Sequence, residues 1–248
     1  MDRVNICMET HFINKTLNKM NTTIQVSKAR SVNVYLKKIL LMCGILSSLF
    51  YVAINIFVVM QYEGYNSASQ TVSELSAIDA PTRSLWVSLV IVYSFFVVAF
   101  GFGILASAGK NRYLHIAAGL IITYIIVGLF WPPMHQREVI ATGGKSLTDT
   151  MHIIFTMVTV TLMLLVIGFG AAALGKRFRI YSIVTMALLI LFGAITGIDS
   201  PDMEAGLPTP WIGISERISI GAYMLWLLVF SFALLQKEKL LRINNGND

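Results

Sequence analysis

Six apolar stretches, each about long enough to cross a bilayer, occupy most of this chain: residues 39–60, 84–109, 114–131, 150–175, 180–198 and 218–235. None contains Asp, Glu, Lys or Arg. At 1.5 Å rise, about 20 residues cross a hydrocarbon core roughly 30 Å thick. A charge at mid-membrane costs about 2.5–3.5 kcal/mol on insertion scales, so six uncharged runs restrict the chain to a polytopic helical bundle. The expected fold is therefore all-α, with six transmembrane helices. With 56% hydrophobic and 13% charged residues, a water-soluble domain is excluded, since such domains carry about 25% charged residues.

The net charge of +6 is a topology signal. With the amino terminus placed in the cytoplasm, all but four of the 19 cations fall on the inner side; Arg83, Arg137, Lys145 and Arg217 remain outside. Lys and Arg in short loops orient helices, so both termini are expected to be cytoplasmic, in the cell membrane. The cations serve orientation and contact with lipid heads, and no nucleic-acid partner is implied. Residues 1–37 read as a disordered cytoplasmic tail, 38–236 as the membrane domain and 237–248 as a second cytoplasmic tail. Met8 and Met20 leave later translation starts open. Cys7 and Cys43 have no partner on an oxidising face, so no disulfide is expected. The first apolar run has no cleavage site and reads as a signal anchor.

Inner loops are minimal, whereas the outer loops 61–83, 132–149 and 199–210 are long enough to build a polar site. Small residues four apart, Ala99/Gly103, Gly168/Ala172 and Gly193/Gly197, read as helix-packing positions. Proline exits are expected after spans three and five, at Pro132 and Pro201.

In the first outer loop, Thr71 and Glu74 have capping-box spacing, which predicts a short helix over 73–77 folded across the bundle mouth. Ser73 and Glu74 could then point into that mouth. Asp149 and His152 lie three apart on one face of span four, where the carboxylate could orient the imidazole. Thr209-Pro210 predicts the start of the sixth helix. Glu216 and Arg217 follow at its outer edge, pointing roughly 100° apart, so each must find a partner elsewhere. Convergence of Glu74, His152, Asp199, Glu216 and Arg217 is expected, with Glu74 pairing Arg217. No metal is expected, because no HExxH or HxxxH spacing occurs, and no cofactor motif stands out.

Gln70-Thr71-Val72-Ser73-Glu74-Leu75 followed by Ala80-Pro81, a proline exit after span three, His152 opening span four and Glu216-Arg217 opening span six together resemble a family of bacterial and archaeal membrane proteins, domain of unknown function 998. The resemblance covers about residues 38–235 and implies six helices and a polar cluster on the outer face, but no reaction. Ser76 stands where the family usually has glycine, and Trp131-Pro132-Pro133-Met134-His135 replaces a simpler acid-bearing exit. On sequence, a structural, accessory or lipid- or partner-binding role needs no chemistry and leads. A small transporter or sensor is one alternative. The other is a membrane-embedded hydrolase or transferase on lipid or envelope precursors, using Ser73, His152 and nearby acids, for which approach of Ser73 to His152 within about 3.5 Å is the discriminating distance.

Overall fold

The computed structural model describes residues 33–245. Six helices are long and apolar enough to cross a membrane: α1 Asn33–Val59, α2 Arg83–Ala108, α3 Arg112–Leu129, α4 Leu147–Ala173, α5 Lys176–Glu204 and α6 Ile212–Asn245. Helices keep their backbone hydrogen bonds internal, which a lipid solvent demands of any segment that spans it. The first compact unit, up to Ile39, contributes the start of α1, where Tyr35, Leu36 and Ile39 are exposed. The expected tail at 1–32, with Cys7 and the alternative starts, lies outside the described residues. Helix is already present from Asn33, however, and α6 runs on to Asn245, across most of the stretch read as a carboxy-terminal tail. Polar residues continue both helices because nothing in either segment breaks them.

In the second unit α3 packs between α2 and α4, α5 between α4 and α6, and α6 also meets α2. Short connections make α2 and α3, and α4 and α5, antiparallel. Asn111 explains one of them: its side chain accepts from Tyr113 N and Leu114 N to cap α3, and its amide donates to Ala173 O at 3.2 Å, tying down the end of α4. The main core holds Phe100, Leu114, Ile121, Ile167, Tyr223, Trp226 and Phe230. Trp226 stacks on Phe230 at 4.8 Å and donates to Ser182 Oγ at 2.9 Å.

Of the small-residue pairs, Gly103 does pack tightly, since a Cβ there would lie 2.8 Å from the backbone of Leu40 and Leu41 on α1. Gly168 and Gly197 face open space, so the other two pairs do not mark close helix contacts along their length. The glycines that do admit a neighbour include Gly101, against Ile122, and Gly170, against Trp226. Pro201 also departs from expectation. It lies inside α5, which continues to Glu204. A single missing N–H near a helix end is tolerated when the remaining turn keeps its own bonds, here Ala205 N to Pro201 O at 3.0 Å.

The long connections gather at one end of the bundle, the mouth. A 3₁₀ helix at Val72–Ser76 forms the lid, with Val72, Glu74, Leu75 and Ala77 buried. The second connection leaves α3 in extended form, then makes one α-turn at Arg137–Val139 and a wide turn at Ile140–Gly144, where Gly143 supplies φ 88°. Ile78 N donates to Met134 O at 2.7 Å, and Ala77, Met134, Ile140, Met203 and Ile212 form a small apolar cluster that fastens lid to loops.

Candidate functional site

The lid is started as its spacing predicts. Thr71 N and Thr71 Oγ1 both donate to Glu74 Oε2, at 2.6 and 3.0 Å. Glu74 is 4% exposed, and its cationic partner is Arg137, not Arg217. Arg137 grips the carboxylate with two bonds, Nε to Oε1 at 2.6 Å and Nη2 to Oε2 at 2.7 Å. Paired planar groups of this kind are the strongest ion-pair geometry available to a protein. Arg137 also donates to Ser69 O and to Thr209 Oγ1. The hydrogen bonds it donates to Glu74 hold its guanidinium above the ordinary range, despite opposing burial. Thr209 is thus spent on Arg137, and α6 begins later, at Ile212, with Trp211 O accepting from Ser215 N.

Arg217 is held by neutral oxygens. It donates to Ser67 O and Gln70 O, each at 2.9 Å, to Gly213 O at 3.1 Å, to Tyr65 OH at 2.7 Å and to Asn55 Oδ1 at 3.4 Å. The Tyr65 ring lies 5.6 Å from the guanidinium carbon, and its hydroxyl donates to Thr71 O at 2.6 Å. Burial pushes the Tyr65 phenol above its usual range, so it stays protonated and can make that bond. Gly213 completes the seat: its N–H donates to Ala68 O at 2.9 Å. Glu216, the neighbour of Arg217 on α6, turns to the lid instead, where its Oε2 accepts from Val72 N and its carboxylate lies within hydrogen-bonding reach of Ser73. The divergence expected for adjacent helical residues is therefore observed, though without the carboxylate partner expected for Arg217.

His152 is 6% exposed and meets the same serine. Its Nε2 lies 3.0 Å from Ser73 Oγ, joining residues 79 apart in sequence. Its Nδ1 lies 2.8 Å from Pro132 O and 3.0 Å from Trp131 Nε1, with the indole ring edge-on to the imidazole. A proton on Nδ1 donates to Pro132 O and leaves Nε2 bare toward the Ser73 hydroxyl; the other tautomer accepts the indole N–H and donates to Ser73. Asp149 does not orient His152. It caps α4 through Ser146 N and Oγ and holds His135, through the backbone N–H at 2.6 Å and Nδ1 at 2.9 Å. Three residues of spacing put the two side chains on one face, yet the preceding loop claims the carboxylate first. Asp199 is half-buried and takes part in none of the hydrogen bonds of this cluster; the residues of α5 that reach the mouth loops are Met203 and Glu204 further along the helix.

The mouth thus brings together Ser73, Glu74, His152, Glu216 and Arg217, with Asp149 at its edge. Sequence reasoning missed Arg137, Trp131, Tyr65, Asn55 and Gly213. Arg137 carried one legible signal, since it was among the four cations left on the loop side. Among the described residues, no group of three or more His, Cys, Asp or Glu side chains is arranged to hold a metal.

The profile of a family described as "Protein of unknown function (DUF998)" matches residues 45–233, which include all six apolar runs in whole or in part and every residue of this cluster. The chain belongs to the DUF998 family. No curated protein and no solved structure matches it. Membership of DUF998 brings no reaction with it.

Proposed function

We propose that this DUF998 protein is a membrane-embedded serine hydrolase or acyl transferase, acting on ester-bearing lipids or envelope precursors at the outward mouth of the bundle. The observation that carries the reading is the 3.0 Å approach of Ser73 Oγ to His152 Nε2. A serine is activated when a base stands within about 2.6–3.2 Å and a third group fixes that base. Pro132 O supplies the third group: it accepts a hydrogen bond from Nδ1–H at 2.8 Å and so fixes the tautomer that leaves Nε2 free to act as base. In the reaction, Ser73 Oγ attacks the ester carbonyl as its proton passes to His152 Nε2. The departing alkoxide takes that proton, leaving an acyl-serine and an alcohol. Water, or another hydroxyl in the transferase case, then attacks the acyl carbon as its proton passes to His152 Nε2; the bond to Ser73 Oγ breaks, Oγ takes that proton back, and an acid or a new ester leaves. Arg137, Glu74, Glu216 and Arg217 hold the lid that carries Ser73.

The test is covalent labelling of the full chain in nanodiscs by a fluorophosphonate, read by mass spectrometry. Label is expected on Ser73, absent in Ser73→Ala, and slowed by about 10²–10⁴-fold in His152→Ala, the usual contribution of a general base. His152→Ala should keep its folded yield. Absence of Ser73 labelling, or labelling indifferent to His152, would sink the enzyme reading. A structural or accessory role is the second reading. It is favoured by the completeness of the bonding around Glu74 and Arg217, which would brace a lid equally well in a protein with no reaction.

This reading needs the mouth outside the cell and both termini in the cytoplasm, as the cation bias indicates. Single cysteines at Lys110 and Lys176 should resist a membrane-impermeant thiol reagent in intact cells, and those at Gly143 and Glu204 should react. The reverse pattern would place the site in the cytoplasm.

A further inference from the structure

A cleft of about 190 Å³ opens between α1 and α6 on the lipid-facing side of the bundle, directly behind the lid. Its walls include Val52, Ile56 and Ile220, and the first two are 47% and 60% exposed. Apolar side chains make nearly all of the lining. The exceptions cluster toward the mouth, where Asn55 and Arg217 meet at 3.4 Å. No carboxylate among the described residues pairs with Arg217, whose partners are backbone carbonyls, an amide and a phenol. Glu216, the nearest acid in sequence, is engaged with the lid at Val72 N. The cleft therefore carries at its mouth end one cation with no carboxylate bonded to it among the described residues, and one amide, with apolar surface below.

That is the complement of a glycerophospholipid, a phosphate followed by an acyl chain. We infer that the cleft between α1 and α6 seats an outer-leaflet glycerophospholipid, with its phosphate at Arg217 and one acyl chain along Val52 and Ile56, so that the lipid enters sideways and offers its acyl ester to Ser73. Position supports the last step. Val72 lines the cleft and is adjacent to Ser73, and a glycerolipid carries its ester between phosphate and chain. The assignment of an ester to Ser73 rests on the hydrolase reading above; occupation of the cleft does not.

Gly221 provides the test, because it lines the cleft and a Cβ built on it meets no atom within 4 Å. A side chain can therefore start from Gly221 without meeting a neighbour at its first atom, so Gly221→Phe is chosen to fill the cleft and Gly221→Leu as a smaller second variant. The full chain is reconstituted in nanodiscs with phosphatidylglycerol bearing a diazirine in its acyl chain, irradiated and mapped by mass spectrometry. Crosslinks are expected at Val52, Ile56 and Met224 in excess over Phe95, a residue 71% exposed on α2. Gly221→Phe should lower the excess by about tenfold or more, equivalent to ~1.4 kcal/mol of binding. Gly221→Leu should lower it in the same direction, and Ser73→Ala should leave it intact. Even labelling of all lipid-facing helices, or an excess unmoved by both glycine variants, would overturn the proposal. Cleft labelling without Ser73 chemistry would retain the lipid site and reject the hydrolase; Ser73 chemistry without cleft labelling would do the opposite.

Discussion

Gly213→Ala is expected to undock the lid. A Cβ at this position would stand 2.5 Å from Ser67 O and closer still to Gln70 O, both backbone atoms that no rotamer change can move. Relief requires the loop itself to withdraw. Withdrawal breaks the Gly213 N to Ala68 O bond and takes Ser67 O and Gln70 O away from Arg217. Overpacking alone typically costs about 1–3 kcal/mol. Hydrogen bonds to a charged group are worth about 1.5–3 kcal/mol each, so the total should exceed the overpacking range. Amide exchange in nanodiscs over 65–77 should accelerate strongly, while exchange in the α2–α3 core stays slow. Unchanged protection of the lid would show that the seat on α6 is not what holds it.

Arg137→Ala should cost more than Glu74→Ala, although the two residues share one ion pair. Removing Arg137 strands a carboxylate that is 4% exposed, with only Thr71 left to donate to it. Removing Glu74 strands a guanidinium that is 18% exposed and keeps Ser69 O and Thr209 Oγ1. Breaking a buried pair from one side costs roughly 3–5 kcal/mol, and Arg137→Ala should lie in that range. Glu74→Ala should fall below it, because the surviving charge is better solvated. Folded yield in mild detergent and thermal unfolding followed by tryptophan fluorescence would rank the variants. The double variant Glu74→Gln, Arg137→Met should recover part of the loss. Equal losses, or a larger one for Glu74→Ala, would contradict the asymmetry.

The spans were readable because lipid imposes one rule on every residue they contain: absence of charge over a sufficient length. Local signals also survived. Thr71 and Glu74 cap the lid at the spacing that announces it, and Glu216 and Arg217 diverge as adjacent helical residues must. The partners were not readable, for a physical reason. A half-buried arginine can be satisfied by several carbonyls in place of a carboxylate, and which it obtains depends on how a loop folds back. Pro132 and Pro133 send the second connection out in extended form, and the turn at Arg137–Val139 brings Arg137 back over the lid. No periodicity marks such a path. Asp149 failed as the orienter of His152 because a helix's own first turn competes for its carboxylate. Helix continues beyond the apolar runs, back to Asn33 and on to Glu204 and Asn245, since polar residues remain good helix formers.

The lid lies early in the chain, yet almost everything that holds it is made later. Arg137 and His152 come from the middle of the sequence, and Gly213, Glu216 and Arg217 from its last helix. Chains emerge from the ribosome amino terminus first and fold as they appear. Residues 65–76 must therefore wait, only partly anchored, until α6 has been synthesised and inserted. Nascent chains stalled before Ile212 should carry a protease-sensitive first loop, and sensitivity should vanish as soon as the last span enters the membrane. Closure of the mouth is in this sense a report that synthesis is complete.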